Sequence, residues 1–232
     1  MDLDLAASLD GFSGAVSVSR GGEVLLELAE GYAHRAYGVP ATTATRFAIA
    51  SGSKGFTALT VAALIADGLL SYDLPVRRML VDDLPLVAPD VTVEHLLTHT
   101  SGIGDYLDEE AGGDIDDYVL TLPVHELDNT EAFLPVLDGF PTAFPAGARF
   151  AYNNGGYVVL ALLAERAAGR PFQELVHRSS ERSFPCFRER RQVGPPKRAD
   201  EPALVSRVAR RRDLRQTAEQ NAEGVLFYYC AT

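Results

Sequence analysis

A serine and a lysine three residues apart precede a long apolar run in the stretch RFAIASGSKGFTALTVAALIADG, residues 46–68. If this run is a helix, Ser51 and Lys54 lie on one face of its first turn, because residues three apart are neighbours on a helix. The N-terminus of a helix carries free N–H groups and a partial positive charge. A serine there has an oxyanion donor in its own N–H, and a nearby lysine can take the serine's proton. The spacing indicates nucleophilic catalysis, although a serine N-cap followed by a surface lysine is the plainer interpretation of the tetrapeptide alone.

The surrounding pattern predicts the elements that would hold this pair. The sequence is apolar almost all round from Phe56 to Leu70, which predicts a helix over about 51–67 with no solvent-facing side, closed by Gly68. Before it, the strand-like runs GAVSVSR and EVLLELAEGYA are separated by Gly21-Gly22. Two such runs joined by two glycines predict a β-hairpin.

Two further helices are predicted downstream. Thr92 is a suitable N-cap for a short helix in VEHLLTHT, since threonine hydroxyls accept from backbone N–H groups. Asn154 can cap a helix that runs to Ala168, and Gly169 can close it. This second long helix is also apolar nearly all round, so we expect it in the interior.

The order of three segments resembles a known family. S-x-x-K at a helix start is followed by LLTHTSGI at 96–103 and by FAYNNGGYVVLALLAE at 150–165. In this order the chain resembles the serine β-lactamase and penicillin-binding protein family, especially its class C and D-amino-acid peptidase and esterase branch. The resemblance runs from about Gly14 to Val176. It implies an α/β (α+β) fold of the β-lactamase/transpeptidase type, an antiparallel sheet with a helical subdomain.

The resemblance also implies roles for four residues. Ser51 would be the acylated nucleophile, and either Lys54 or a Tyr152 phenolate held by Lys54 would take its proton. Tyr152, in the Y-x-N element, would protonate the leaving group, and Asn154 would hold Lys54 and the substrate. The implied substrate is a small molecule or peptide, such as a D-alanyl peptide, a β-lactam or a small ester. No metal and no organic cofactor are implied.

Two other arrangements compete with this interpretation. His99 and Ser101 lie close together, as in a catalytic triad, but the corresponding family segment is structural, so we expect His99 to bond within its own turn. SGSKG is one residue short of the G-x-S-x-G nucleophile elbow, which would make Ser53 the nucleophile of an α/β-hydrolase. The missing first glycine and the absence of alternating strand–helix units count against that fold.

The third element of the family, K-[ST]-G or H-x-G, is absent from the sequence. Lys197 is followed by Arg198, and the five histidines begin HRA, HLL, HTS, HEL and HRS. The strand that carries this element also supplies a second oxyanion N–H in the family. We therefore expect an incomplete β-lactamase-like domain over 1–176 with the C-terminal strands missing. The alternative to an active hydrolase is a catalytically impaired, truncated homologue without turnover.

Charge reverses where the resemblance ends. Residues 1–176 hold 9 Lys/Arg and 25 Asp/Glu, whereas residues 177–215 hold 12 Lys/Arg and 5 Asp/Glu. This pattern predicts a boundary near 177, with a basic, unrelated-looking and poorly ordered tail over 177–232. A reading-frame slip or truncation is one explanation, and a basic tail that binds nucleic acid is the other. A helix around 203–222 and a strand in GVLFYYC are expected within this tail.

Composition limits the remaining function classes. The net charge of −11 disfavours a general nucleic-acid role. The N-terminal MDLDLAASLD resembles no signal peptide, and no apolar run reaches the length of a membrane span, so we expect a cytoplasmic protein. The acidic stretch 104–117 is typical of a solvated loop, with a calcium site as the alternative. Cys186 and Cys230 establish no disulfide framework, and the oligomeric state is left open.

Overall fold

The computed structural model describes residues 11–108 and 118–183, and the chain divides into two units between Ala48 and Ile49. The predictions for the tail beyond Ser183, which include a helix, a strand and both cysteines, concern residues outside the described ranges. Most of the acidic stretch also lies outside them. In the part of the chain that the structure describes, no helix combines the length and the apolar character that a membrane span needs.

The N-terminal unit contains the predicted hairpin. Strand β1, Gly14–Arg20, pairs antiparallel with β2, Glu23–Glu30, with a bulge between Val18 and Ser19. Gly21 and Gly22 have φ values of 59° and 86°, the left-handed backbone that a two-residue hairpin turn requires. Strand β3, Tyr32–His34, pairs in the same antiparallel sense with β4, Val39–Pro40. Each sheet among the described residues has two strands.

The second unit begins with a 3₁₀ turn, Ala50–Ser53, which leads directly into α1, Lys54–Ala66. The predicted helix is confirmed, and the chain leaves it through Gly68, with a φ of 76°. The expectation that it has no solvent-facing side is wrong within the described residues. Its buried positions form one stripe at helical spacing: Thr57, Thr60, Val61 and Leu64.

Helix α5, Asn154–Ala168, is the central element of this unit, as the sequence predicts. Every residue from Asn154 to Ala164 is buried, because α1 and the helices over Arg77–Leu80, Val93–Leu97 and Phe172–Ser183 pack against it. Its N-cap is Asn153, one residue earlier than expected: the Asn153 Oδ1 accepts from the N–H of Gly156 at 2.6 Å. Gly169 closes the helix with a φ of 60°, as predicted.

Three short helices complete the packing around α5. They are α2, Arg77–Leu80, α3, Val93–Leu97, and α4, Leu134–Leu137. The predicted cap of α3 is confirmed, because the Thr92 hydroxyl accepts from the backbone N–H of His95 at 3.3 Å. The core contains large side chains from the helices of this unit and from the segments between them: Leu80, Leu96, Leu127, Phe133, Leu160 and Phe172.

Helix α6, Phe172–Ser183, runs through the predicted boundary at 176/177. Residues 177–183 are therefore part of this helix rather than of a separate tail. The buried hydroxyls of Ser179 and Thr60 lie 2.8 Å apart, and the Arg182 guanidinium contacts the Asp67 carboxylate at 2.9 Å. Through these contacts, α6 covers the buried stripe of α1.

Candidate active site

The Ser51 side chain is exposed, whereas the nearby Ser53 side chain is buried. Both serines lie in the 3₁₀ turn before α1, but the exposed fraction of Ser53 is 3%, which leaves its hydroxyl out of reach of a substrate. Ala50, directly before Ser51, has a φ of 45°, a left-handed backbone that non-glycine residues rarely adopt. The geometry of the turn thus favours Ser51 over Ser53 as a nucleophile.

The Lys54 side chain joins Ser51 to Asn154. Lys54 Nζ donates to Ser51 Oγ at 3.1 Å and to Asn154 Oδ1 at 2.9 Å. The first contact follows from the spacing of three residues along one chain segment. The second links residues on α1 and α5, and it holds the lysine at the start of both helices.

Tyr152 completes the cluster from the segment before α5. Its hydroxyl donates to Ser51 Oγ at 2.7 Å, and its ring centroid lies 4.9 Å from Lys54 Nζ. The four side chains singled out in the sequence therefore form one connected cluster, in which Ser51 Oγ accepts from both Tyr152 and Lys54 and Lys54 also binds Asn154. A hydroxyl that touches two groups able to hold or take a proton can be deprotonated as it attacks a carbonyl.

Asp105 holds the start of α5, a role that no local sequence pattern indicates. Its carboxylate accepts from the N–H groups of Asn154 at 2.6 Å and Gly155 at 2.8 Å. A third donor is the Leu107 N–H at 3.3 Å. Asp105 thus belongs to the packed structure beside the site, rather than to a solvated loop as expected. Burial raises the pKa of this carboxyl, against the opposing effect of the three N–H donors.

The same loop orients the Asn154 amide. Asn154 Nδ2 donates to the carbonyl oxygen of Leu107 at 3.0 Å, which leaves Oδ1 facing Lys54. The Leu107 N–H in turn bonds to Asp105, so Asp105 fixes both the backbone and the side-chain environment of Asn154.

His99 makes contacts both within and beyond its own turn. Its backbone N–H donates to the carbonyl oxygen of Leu96 at 3.3 Å, as expected, but its ring has partners elsewhere. Its Nδ1 accepts from the N–H of Asn153 at 3.1 Å. Its ring centroid lies 4.6 Å from that of Tyr152 and 4.9 Å from that of Tyr157. Burial, and then the charge of Lys54, lower the pKa of His99. Ser101, the other residue of the triad alternative, is 2% exposed.

An open cavity of about 240 Å³ lies beside Tyr152. The residues that line it include Phe140, Phe144, Asp105 and Asp108. The Arg149 guanidinium also lines it and stacks 4.2 Å from the Phe144 ring centroid. This cavity can receive part of a substrate whose reacting group is at Ser51. Among residues 11–108 and 118–183, no cluster of three or more His, Cys, Asp or Glu side chains is arranged to hold a metal ion.

Comparison with known proteins bears on the family of the chain. The family model described as Beta-lactamase matches residues 4–182. Esterase EstB of Burkholderia gladioli is 39% identical over 170 residues, covering 70% of this chain and 43% of EstB. Penicillin-binding protein 4* of Bacillus subtilis (strain 168) is 32% identical over 170 residues, covering 72% of this chain and 35% of that protein.

A solved structure agrees with these relatives. The crystal structure of penicillin binding protein from Bacillus halodurans matches with a TM-score of 0.66 and 39% identity, over 74% of this chain and 52% of that one. This likeness confirms the predicted fold class. The chain spans less than half the length of the two curated relatives.

Proposed function

We propose a function for this site from one premise: the chain belongs to the β-lactamase family, whose model matches residues 4–182. The function is that of a serine hydrolase which forms an acyl-enzyme at Ser51 and cleaves an amide, ester or β-lactam bond. One observation carries the proposal. The exposed Ser51 hydroxyl accepts hydrogen bonds from both Tyr152, at 2.7 Å, and Lys54, at 3.1 Å.

Acylation uses these two contacts. Ser51 Oγ attacks the substrate carbonyl carbon and forms the new C–O bond, while its proton passes to Lys54 Nζ or to a Tyr152 phenolate that Lys54 stabilises. The negative charge that develops on the carbonyl oxygen is stabilised by the Ser51 N–H at the positive start of the helix. As the tetrahedral intermediate collapses, the bond to the leaving group breaks and Tyr152 gives the leaving group a proton. Where Lys54 was the base, it passes the serine's proton on to Tyr152, so that both groups return to their starting state.

Deacylation repeats the proton transfers with water as the nucleophile. Water attacks the acyl carbon and gives its proton to the same base. The bond between the acyl carbon and Ser51 Oγ then breaks, and the proton returns to the serine. Asn154 keeps Lys54 in place through both halves of the reaction, because its Oδ1 accepts from Nζ at 2.9 Å.

The proposed substrate is a broad class of acyl donors rather than a single compound. The names of the relatives, an esterase and a penicillin-binding protein, point to different acyl donors. The cavity beside Tyr152 combines aromatic walls with both signs of charge, and this lining suits a small amide or ester with a polar substituent. We propose a small-molecule or peptide acyl donor, and no cofactor takes part in the steps above.

Covalent labelling of the purified 232-residue chain tests this proposal. The chain is incubated with a fluorescent penicillin or a fluorophosphonate, and the adduct is located by intact-mass and peptide mass spectrometry. Adduct formation is expected on Ser51, abolished in Ser51→Ala and kept in Ser53→Ala, the matched control. An adduct that persists in Ser51→Ala contradicts the assignment of the nucleophile.

The second candidate is the catalytically impaired homologue, and the missing K-[ST]-G or H-x-G element favours it. Loss of one oxyanion donor typically reduces the rate by about 10² to 10³. If neither probe labels the folded wild-type chain, the impaired homologue is supported instead. Labelling of Ser51 followed by slow release of the acyl group supports an intact first step with a weak second one.

A further inference from the structure

His99 contacts the chain on both sides of Tyr152. The N–H of Ala151 donates to the His99 carbonyl oxygen at 2.9 Å, and the N–H of Asn153 donates to His99 Nδ1 at 3.1 Å. Between these two bonds, the Tyr152 ring lies against the imidazole with centroids 4.6 Å apart. One residue therefore fixes the backbone before Tyr152, the backbone after it and the side chain itself.

These contacts matter because residues 151–153 belong to no helix or strand. Regular secondary structure does not set the direction of the Tyr152 side chain, which must reach Ser51 Oγ at 2.7 Å. Catalysis is sensitive to such placement, since a displacement of about 1 Å can reduce a rate roughly 10²-fold.

The position of His99 is itself held by α3 and α5. The Tyr157 ring, on α5, lies 4.9 Å from the imidazole, and the Tyr157 hydroxyl donates to the carbonyl oxygen of Leu97, at the end of α3. The His99 backbone has a φ of 55°, which turns the chain out of α3 toward residues 151–153. The imidazole is thus fixed on one side by the packed helices and supports Tyr152 on the other.

We propose that His99 is a positioning residue that aims the Tyr152 hydroxyl at Ser51, an inference that rests on the function proposed above. Only the neutral imidazole can do this, because Nδ1 accepts the Asn153 N–H through a lone pair that protonation removes. The titratable groups that face His99 are Lys54 from α1, Tyr157 from α5 and Tyr152. The positive charge of Lys54 favours the neutral imidazole, as does burial, and both lower the pKa of His99.

Two substitutions separate the contacts that His99 makes. His99→Asn keeps an acceptor near Nδ1 and tolerates the positive φ, but it lacks the ring and does not titrate. His99→Phe keeps a ring against Tyr152 but loses the acceptor. His95→Asn is the matched control, because His95 Nδ1 accepts a backbone N–H at 3.2 Å from Thr92, away from Tyr152.

The test follows Tyr152 directly, by ¹⁹F NMR of the fluorotyrosine-labelled chain, with the Tyr152 resonance assigned by its loss in Tyr152→Phe. In the wild type, this resonance is expected to shift with pH alongside the titration of the His99 ring protons, below pH 6.5. The shift should be absent in His99→Asn and present in His95→Asn. The rate of Ser51 labelling should fall roughly 10- to 100-fold in both His99 variants, with the pH inflection lost.

A Tyr152 resonance that does not respond to the titration of His99 in the wild type overturns the proposal, and this measurement does not require a folded His99 variant. So does labelling at the wild-type rate by a folded His99→Phe. If the wild-type chain is not labelled at all, the proposed function fails while the fluorine measurement still decides the role of His99.

Discussion

The two long helices that meet at the site begin in opposite ways. Among the residues that the structure describes, no side chain caps the turn that leads into α1, and no acidic residue lies in its first turn. At the start of α5, Asn153 accepts from Gly156, while Asp105 accepts from Asn154 and Gly155. The N-termini of both helices are joined by the bond between Lys54 and Asn154, so this contrast lies within a few ångströms.

The two helix starts have different roles: the start of α5 holds side chains in place, and the start of α1 lies next to the reacting serine. The first four N–H groups of a helix have no partner within it. At α5 the N–H groups of Asn153, Asn154, Gly155 and Gly156 all have acceptors, which are His99, Asp105 (twice) and Asn153. These bonds make the start of α5 a rigid support for Tyr152 and Asn154. At α1 the start is left without a negative partner, and its positive end remains available to a developing oxyanion next to Ser51.

The largest expected effect comes from changing the proton acceptor at the open start. Lys54→Arg should slow Ser51 labelling nearly as much as Lys54→Ala, about 10²- to 10⁴-fold, because arginine keeps its charge but cannot act as a base. Labelling kinetics by mass spectrometry provide the measurement. If the arginine variant is labelled at the wild-type rate, Lys54 contributes only a positive charge.

Removing the negative partner from the capped start should cost stability. Asp105→Ala leaves the N–H groups of Asn154 and Gly155 without their acceptor, and we expect a loss of about 2 kcal/mol in the free energy of unfolding. Asp105→Asn keeps one side-chain acceptor and should lose about half as much. Urea denaturation measures both variants, and equal stability of Asp105→Ala and wild type would show that water replaces the carboxylate at no cost.

Adding a negative partner to the open start should make α1 resemble α5. A Cβ on Gly52 would lie 3.6 Å from the nearest atom, in Ile49, so the site accepts a side chain. Gly52→Asp should stabilise the fold by about 0.5 to 1 kcal/mol and slow Ser51 labelling, since a carboxylate opposes the oxyanion. Gly52→Asn is the uncharged control, and unchanged labelling in Gly52→Asp argues against a role for the positive helix end.

The smallest expected effect is a pH dependence of stability at the capped start. Burial raises the pKa of Asp105 above its ordinary value of 3.8, so the folded state holds this proton more tightly than the unfolded state. Its contribution to stability is therefore full below pH 3.8 and is lost as the pH rises through the folded-state pKa. The urea midpoint measured against pH should show this trend in the difference between wild type and Asp105→Asn. The opposite slope would mean that the N–H donors outweigh burial.

The sequence predicts the open start better than the capped one, and the reason is distance along the chain. Ser51 and Lys54 are three residues apart, so helix geometry alone brings them together. The hairpin turn at Gly21-Gly22 is equally local. Tyr152 and Asn154 could be assigned to the same site only through the resemblance to a family, because the sequence contains no local sign of a contact across 100 residues.

Asp105 and His99 show what local patterns miss. Asp105 lies in an acidic stretch, where charge density predicts a solvated loop, and its bonds to α5 exist only in the folded chain. The resemblance assigns His99 a structural place rather than a triad role, but it does not indicate the partner of the ring, Asn153, which lies 54 residues away. Residues 177–183 of α6 show no apolar pattern in the sequence, because Ser179 and Ser180 occupy buried positions where apolar residues would indicate a helix.

The bond between Lys54 and Asn154 joins residues that are 100 positions apart. During synthesis on the ribosome it can therefore form only after the intervening residues have been added. At about 5 to 20 residues per second, roughly 5 to 20 seconds pass between synthesis of the lysine and of its partner. The Thr60 hydroxyl waits longer, because Ser179 follows it by 119 residues. During this interval neither α5 nor α6 is present to cover the buried stripe of α1. The nascent chain therefore presents Val61 and Leu64 to the translation machinery and its chaperones before it can present a nucleophile to a substrate.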